Sequence, residues 1–212
     1  MSVGVLLDLD GTLLDTLEDL RSSTNHALER FGYPQRTLEE VRRFVGNGAE
    51  RLIRLAVPEG ADPGPVLAAF REHYQAHCRE RTGAYPGIPA ALAALGETYP
   101  LAIVSNKPDS AVKALCDEYF PGIYARGESD DCPRKPAPDM VWKAMAAIGV
   151  DRCVYVGDSE VDILTAKNAG MPCLSVLWGF RDKDELLEAG GAWFCEEPRE
   201  LPEKIRDILA GC

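Results

Sequence analysis

The sequence predicts an α/β fold: a doubly wound, Rossmann-like parallel sheet into which an all-helical domain is inserted. The first supporting observation is that short, nearly continuous apolar runs recur along the chain, as strands buried on both faces require. The second is that these runs alternate with helical patterns, which is typical of open parallel sheets. The third is a stretch after the first run, residues 16–82, that has helical periodicity and no convincing strand.

The strands and helices of the core are predicted from these runs and from the residues that bound them. The candidate strands are residues 3–9, 101–104, 153–156 and 173–177. The candidate helices are residues 108–119, 138–148 and 160–169. Proline costs little in the first turn of a helix, where its missing N–H has no partner, and glycine favours the end of a helix. Pro108 and Pro138 therefore fit first turns, and Gly149 and Gly170 fit helix ends.

The stretch 16–82 contains two apolar stripes at helical spacing. One stripe is formed by Leu17, Leu20, Thr24, Ala27, Leu28 and Phe31, and the other by Val66, Leu67, Phe70, Tyr74 and His77. Asn47-Gly48 and the segment 58–65 divide the stretch into separate helices. We therefore predict two domains: an α/β core of residues 1–15 and 83–212, and a helical domain of residues 16–82.

The composition argues against several classes of protein. The net charge is −11 and the pI is about 4.8, whereas a protein whose main partner is nucleic acid is basic. The apolar runs fall far short of the ~20 residues of a membrane span, and the first residues do not resemble a secretory signal. Seven scattered cysteines, an odd number, are typical of reduced thiols. We expect a cytoplasmic protein without nucleic-acid or membrane partners, as a monomer or a homodimer.

Three of the candidate strands end in polar clusters. The first is followed by Asp8-Leu-Asp10-Gly11-Thr12, the second by Ser105-Asn106-Lys107, and the third by Gly157-Asp158-Ser159-Glu160-Val161-Asp162. In open parallel sheets, ligands bind beyond the carboxyl ends of the strands, where the loops converge. We therefore expect the three clusters to meet at one place.

The four aspartates of these clusters indicate a metal site. Asp8 and Asp10 would face one side if the strand continued, and Asp158 and Asp162 would lie on one helix face if the helix began at Ser159. Carboxylates brought together repel each other unless a cation compensates. Oxygen ligands without a cluster of His or Cys favour a hard cation, and Mg2+ suits a phosphate substrate. The alternative is that each acid is a turn former or helix cap, which the set of four disfavours.

The remaining polar residues of these loops fit a phosphate group. Ser105 and the Asn106 N–H would suit a phosphate oxygen at a helix N-terminus, although, taken alone, the segment is explained better by capping of the next helix. Lys135 lies between prolines just before a candidate helix, where it can balance carboxylate and phosphate charge. The alternative for Lys135 is an ordinary surface lysine.

Together these segments resemble the four ordered motifs of the haloacid dehalogenase-like hydrolase superfamily. Asp8-Leu-Asp10-Gly11-Thr12-Leu13 matches the first motif, and Ser105, Lys135 and Gly157-Asp158-x-x-x-Asp162 match the other three. The helical domain resembles the C1 cap of subfamily I. Within the superfamily, the chain is most similar to phosphoglycolate phosphatases, on the features Phe44-Val-Gly-Asn-Gly-Ala49, Tyr85-Pro-Gly87, Lys135-Pro-x-Pro138 and Trp178-Gly-Phe180.

The resemblance implies a Mg2+-dependent phosphatase that acts on a small-molecule phosphate ester, with 2-phosphoglycolate as the first candidate. Asp8 would attack phosphorus to form an aspartyl-phosphate, and Asp10 would act first as acid and then as base. Asp8, the carbonyl of Asp10 and Asp158 would hold Mg2+, and Asp162 would orient these ligands. The phosphoryl oxygens would be bound by Thr12, Ser105, Asn106 and Lys135.

The resemblance also implies that the cap closes over the site and selects the leaving group, through Asn47, Gly48 and Arg51. Dehalogenases of the superfamily lack an acid at the position of Asp10, and phosphonatases use a cap lysine, which residues 16–82 do not contain. A phosphomutase of the β-phosphoglucomutase type is an alternative, although the loop 46–49 departs from the mutase pattern. A pyrophosphatase and a non-catalytic binding protein of the same fold are further alternatives.

Overall fold

The computed structural model describes residues 2–211, and its central element is a six-stranded parallel sheet. The strands in chain order are β1 (Val3–Leu7), β2 (Leu14–Asp15), β3 (Gly83–Ala84), β4 (Leu101–Pro108), β5 (Tyr124–Glu128), β6 (Arg152–Gly157), β7 (Cys173–Val176) and β8 (Trp193–Cys195). The order across the large sheet is β5-β4-β1-β6-β7-β8. β2 and β3 form a separate antiparallel pair.

Helices cover both faces of the large sheet. They are α1 (Leu17–Arg30), α2 (Leu38–Phe44), α3 (Gly48–Ala56), α4 (Pro63–His77), α5 (Ile88–Gly96), α6 (Asp109–Tyr119), α7 (Asp139–Ile148), α8 (Glu160–Ala169), α9 (Lys183–Glu188) and α10 (Leu201–Ala210), with a short 3-10 helix at Pro198–Glu200. Side chains of β1 alternate between the two faces because the period of a strand is two. Val5 and Leu7 pack with residues of α5, α6 and α10, whereas Leu6 packs with residues of α7 and α8. The predicted doubly wound α/β fold is therefore confirmed.

The helices α1–α4 lie between β2 and β3 in the chain and share one apolar cluster. The chain leaves the sheet through β2 and returns through β3, and Leu14 pairs with Ala84 where the two meet. Asp19 in α1 is buried and accepts hydrogen bonds from the backbone N–H groups of Arg81 and Thr82 and from the Thr82 hydroxyl. The entry and exit of the helical segment are thereby fastened together next to the sheet.

Most of the predicted core elements occur within one or two residues of their expected bounds. The strand predicted over residues 3–9 ends at Leu7, because the chain turns before the first aspartate. Pro108 and Pro138 occupy the position just before α6 and α7 instead of the first turn. Gly149 and Gly170 end α7 and α8 in the left-handed conformation, as predicted. The strands β5 and β8 and the helices α5, α9 and α10 have no counterpart among the predicted elements.

The structure describes the state of the cysteines and the length of the helices. The six cysteines between residues 2 and 211 are free thiols, and Cys212, which was expected to be reduced as well, lies outside the described residues. In the same range, no helix is both long and apolar enough to cross a bilayer.

Candidate active site

A cavity lies where β1, β4 and β6 end, against helices α1, α3 and α4. Its floor is formed by the strand ends and by the loops that follow them. Its roof is formed by the helical segment between β2 and β3. The residues around it are Asp8, Asp10, Leu20, Val45, Gly46, Gly48, Ala49, Leu52, Phe70, Tyr74, Ser105, Asn106, Lys107, Pro108, Lys135, Asp158, Ser159, Phe180 and Arg181.

Three buried aspartates meet on the floor. Asp8 follows β1, Asp158 follows β6, and Asp162 lies in the first turn of α8. Each offers one carboxylate oxygen within 4.8 Å of those of the other two. The sequence had predicted that Asp158 and Asp162 share a helix face. Asp158 instead precedes the helix, and the carboxylate of Asp162 turns back to accept hydrogen bonds from the Ser159 N–H at 3.1 Å and hydroxyl at 2.5 Å.

The buried ammonium of Lys135 balances part of this negative charge. Its Nζ lies 2.8 Å from an oxygen of Asp162 and 2.8 Å from Oδ1 of Asp8, and it donates to the Tyr155 hydroxyl at 3.1 Å. Burial alone would lower the pKa of Lys135, but the attraction of Asp162 and Asp8 raises it well above its ordinary value. Lys135 is only 2% exposed, so it is not the surface lysine that was its alternative interpretation.

The balance of charge on the floor fits a divalent cation. Burial and the charge of Asp162 raise the pKa of Asp158 to about 7, and they raise that of Asp8 well above its ordinary value. Oδ1 of Asp8 is fully buried and lies 2.8 Å from the Lys135 ammonium, with no other hydrogen-bond partner among residues 2–211. One lysine thus faces three carboxylates, and the donor atoms are all oxygens. Such a site suits Mg2+, which takes oxygen ligands and compensates like charges.

Two glycines allow the backbone to approach Asp158 closely. Gly11 has a φ of +81°, and a Cβ at this position would lie 2.3 Å from an oxygen of Asp158. A Cβ on Gly179 would lie 2.3 Å from the Cβ of Asp158 and 2.6 Å from the carbonyl oxygen of Gly11. The next residue, Phe180, donates its N–H to Asp158 at 2.7 Å. The expected bend at Gly11 therefore brings the first loop against the third.

Asp10 turns away from the three aspartates and pairs with Lys107. The Lys107 ammonium lies 2.7 Å from Oδ1 of Asp10, which also accepts a hydrogen bond of 2.6 Å from the Thr16 hydroxyl. The second oxygen of Asp10, Oδ2, lies 3.5 Å from the Ser105 hydroxyl. Lys107 is buried, and the attraction of Asp10 outweighs desolvation and raises the pKa of the lysine. One oxygen of Asp10 is thus fixed, and the other faces Ser105 near the end of β4.

The residues predicted to bind phosphate surround the same floor. The Thr12 hydroxyl donates to Oδ1 of Asp158 at 3.2 Å, so in this arrangement it orients a carboxylate. Ser105 lines the cavity. The side chain of Asn106 accepts from the backbone N–H of Lys135 at 2.8 Å and donates to the Lys135 carbonyl at 3.0 Å, which fixes the loop that carries the lysine.

The N-terminus of α3 reaches the cavity, but two of the three residues predicted to select the leaving group do not line it. Gly48 borders the cavity, whereas Asn47 does not, and Arg51 is exposed in α3. The loop before α3 is held by Arg181, which donates to the carbonyls of Val45 at 2.7 Å and Arg42 at 3.1 Å.

Sequence reasoning missed Lys107, Tyr74 and Arg181 as residues of the site. Lys107 belongs to a polar cluster that was recognised, but no contact with Asp10 could be deduced from their separation in the chain. Tyr74 fitted an apolar stripe of the helical segment, and its ring does pack there. Nothing in the sequence marks Arg181, because its partners are the side chain of Glu160 and backbone carbonyls of a distant segment.

Comparisons with known proteins agree with this geometry. The family model of haloacid dehalogenase-like hydrolases matches residues 5–176. A phosphoglycolate phosphatase of Pseudomonas putida is 33% identical over 98% of this chain and 79% of its own length. One of Rhodobacter capsulatus is 36% identical over 85% of this chain and 87% of its own length.

Solved structures show the same likeness. A crystal structure from Lactobacillus delbrueckii subsp. bulgaricus, provisionally assigned as a phosphoglycolate phosphatase, superposes with a TM-score of 0.90 at 36% identity and covers 95% of this chain and 97% of its own. A haloacid dehalogenase-like hydrolase from Streptococcus pneumoniae, at 22% identity, shares the fold with a TM-score of 0.87 over 96% of this chain and 97% of its own. The chain thus belongs to the haloacid dehalogenase-like hydrolases.

Proposed function

We propose that this hydrolase is a Mg2+-dependent phosphatase that acts on a small phosphorylated metabolite through an aspartyl-phosphate on Asp8. Its substrate, on this proposal, is 2-phosphoglycolate, the ester named in the relatives from Pseudomonas putida and Rhodobacter capsulatus. The observation that carries the proposal is the position of Asp8. A buried carboxylate oxygen of Asp8, whose one partner among the described residues is the Lys135 ammonium, lies at the cavity floor near two further aspartates.

The first chemical step is the attack of a carboxylate oxygen of Asp8 on phosphorus. A bond forms between Asp8 and phosphorus, and the bond from phosphorus to the ester oxygen breaks. Asp10 donates a proton through Oδ2 to the departing oxygen, since its Oδ1 is held by Lys107 and Thr16. In the second step, Asp10 accepts a proton from water, whose oxygen attacks phosphorus and releases Asp8 and inorganic phosphate.

The residues that bind the phosphoryl group are those that border Asp8. Its oxygens would accept hydrogen bonds from Ser105, the N–H of Asn106 and Lys135. The Thr12 hydroxyl would either hold Asp158 in place, as it does here, or donate to a phosphoryl oxygen itself. Asp8, the Asp10 carbonyl and Asp158 would hold Mg2+, and Asp162 would orient them together with Lys135. When bound, Mg2+ would neutralise charge on the phosphoryl group during transfer.

We further propose that residues 16–82 act as a cap domain on a core of residues 1–15 and 83–212. Phe70 and Leu20 of this segment border the cavity and would exclude water when the ester bond breaks. The cavity is about 50 Å³ in volume, which favours a substrate with few atoms beyond its phosphate group. Gly48 borders the cavity, whereas Asn47 and Arg51 would need a movement of the cap to reach it. The free thiols are compatible with a cytoplasmic location.

The proposal is tested by release of inorganic phosphate from 2-phosphoglycolate, measured with Mg2+, with EDTA and with Asp8→Asn. We expect turnover with Mg2+ alone and its loss, by at least about 10³-fold, in the variant, because no other group can form the covalent bond. Release of phosphate also separates hydrolysis from a mutase reaction, which conserves ester phosphate. Undiminished turnover by Asp8→Asn would rule out Asp8 as the nucleophile. A panel of small phosphate esters tests the substrate, and equal rates for all of them would contradict a preference for 2-phosphoglycolate.

A further inference from the structure

One part of the cavity carries positive charge that is not needed for the phosphoryl group. Three basic side chains border the cavity: Lys107, Lys135 and Arg181. Lys135 is held between Asp8 and Asp162, as described above. The three donor atoms of Arg181 each have a partner: Nε with Glu160, and Nη1 and Nη2 with backbone carbonyls.

Lys107 has spare capacity to bind a ligand. Its ammonium donates to Asp10 at 2.7 Å and lies 4.7 Å from the centre of the Tyr74 ring, which it faces as a cation–π contact. An ammonium has three protons, and those of Lys107 meet at most two acceptors among the described residues, Asp10 and the Tyr74 hydroxyl, which leaves one proton for a ligand. Lys107 is only 6% exposed, so solvent does little to satisfy the others.

The hydroxyl of Tyr74 lies beside this lysine with its own proton unpaired. Tyr74 is 3% exposed, and no group among the described residues accepts the proton of its buried hydroxyl. A buried polar group without a partner is destabilising, and such groups are rare in folded proteins. Because Tyr74 comes from α4 and Lys107 from β4, the pair also joins the helical segment to the core. An acceptor in the cavity next to Lys107 would satisfy the phenol as well.

The chemistry of the proposed substrate puts an acceptor there. In a phosphate ester of a 2-hydroxy carboxylate, such as 2-phosphoglycolate, a single carbon separates the ester oxygen from the carboxylate. The ester oxygen must approach Asp10 closely to receive a proton. The carboxylate then falls within a few ångströms of Asp10, which is the region that Lys107 occupies. The other wall on the cap side is mostly apolar, with Leu20, Leu52 and Phe70.

We infer that Lys107 and Tyr74 form the subsite for the carboxylate of the leaving group. Such a subsite would favour a phosphate ester whose leaving alcohol carries a carboxylate on the same carbon as its oxygen. The ammonium supplies charge, and the phenol donates a hydrogen bond from the cap. This inference rests on the proposed phosphatase function and names the specificity-determining residues of the same site.

Lys107 also positions Asp10, so the test depends chiefly on Tyr74. We compare kcat/KM for 2-phosphoglycolate and for ethyl phosphate, which has a leaving group of similar length without the carboxylate. Tyr74→Phe keeps the ring and the cation–π contact but removes the hydroxyl. Tyr33→Phe is the matched control, because Tyr33 lies in the same helical segment but not at the cavity.

We expect Tyr74→Phe to lower kcat/KM for 2-phosphoglycolate at least about tenfold, mainly through KM, because the substrate carboxylate loses a buried donor. Its rate with ethyl phosphate should stay within about twofold of the wild type, and Tyr33→Phe should leave both rates unchanged. Lys107→Met should slow both substrates, and it should slow 2-phosphoglycolate more. The Ki of glycolate as a product inhibitor should rise in Tyr74→Phe.

The outcomes separate this inference from the function on which it rests. If the wild type releases phosphate from neither ester, the proposed phosphatase function fails. If it hydrolyses 2-phosphoglycolate and Tyr74→Phe slows both esters equally or neither, the function stands and the carboxylate subsite is refuted. Equal losses for the two esters in Lys107→Met would reduce that lysine to a positioning residue for Asp10.

Discussion

Lys135→Met tests the electrostatic account of the cavity floor. The substitution keeps a long side chain but removes a charge that is 2% exposed and lies 2.8 Å from both Asp8 and Asp162. Removing one partner of a buried ion pair leaves an uncompensated charge and costs about 3–5 kcal/mol. Domains have unfolding free energies of about 5–15 kcal/mol, so the variant should be less stable and still measurable.

The assay is urea unfolding in EDTA and in excess Mg2+. The control is Lys143→Met, because Lys143 also lies 2.7 Å from an aspartate, Asp131, but the two side chains are 41% and 56% exposed. An exposed pair contributes about 0–1 kcal/mol, so the control should change little. Mg2+ should stabilise Lys135→Met, by about 2.7 kcal/mol at a concentration of 100 Kd, because it binds only the folded carboxylates. A loss in Lys135→Met no larger than in Lys143→Met would refute the reasoning.

Three further predictions concern packing, the base of the cap and pH. Gly179→Ala should weaken Mg2+ binding in titration calorimetry and lower the midpoint of urea unfolding, because the new Cβ would lie 2.3 Å from the Cβ of Asp158. The control Gly83→Ala should do neither, because the space around Gly83 is open. Asp19→Ala should cost at least about 2 kcal/mol in urea unfolding, because it leaves buried donors unpaired. Burial and two neighbouring histidines lower the pKa of His73, so its share of stability is present above the unfolded pKa of ~6.5 and is lost as pH falls through the lower folded value. The urea midpoint of His73→Gln should therefore fall less on acidification than that of the wild type, and an equal fall would contradict this.

The sheet and the positions of the acidic loops could be predicted because each depends on local pattern. Buried parallel strands are largely apolar, and β1, β6 and the first four residues of β4 match that pattern, whereas the polar residues at the end of β4 do not. β5 and β8 were not predicted because they do not show this apolar pattern. β5 lies at the edge of the sheet and contains Arg126 and Glu128, and β8 has only three residues, so neither forms a buried apolar run.

The details of the site depend on contacts between distant segments, which the sequence does not display. Asp8 and Asp158 were expected to converge from the topology of a parallel sheet, and their oxygens do lie close together. The pairing of Asp10 with Lys107 joins residues that are far apart in the chain, and no spacing rule connects them. Arg51 was expected at the site from the resemblance, but helical phase decides exposure, and α3 directs Leu52 and Ile53 inward instead.

The central claim is that Asp8 accepts the phosphoryl group. The direct measurement is rapid acid quenching of the enzyme during turnover of 2-phosphoglycolate with Mg2+, followed by peptide mapping. Asp10→Asn, which lacks the base for hydrolysis of the intermediate, is mapped in parallel. We expect one acid-stable phosphoryl group on the peptide that contains Asp8, at greater occupancy in Asp10→Asn. Phosphoryl transfer to any other residue, or turnover without a phosphorylated enzyme in either protein, would contradict it.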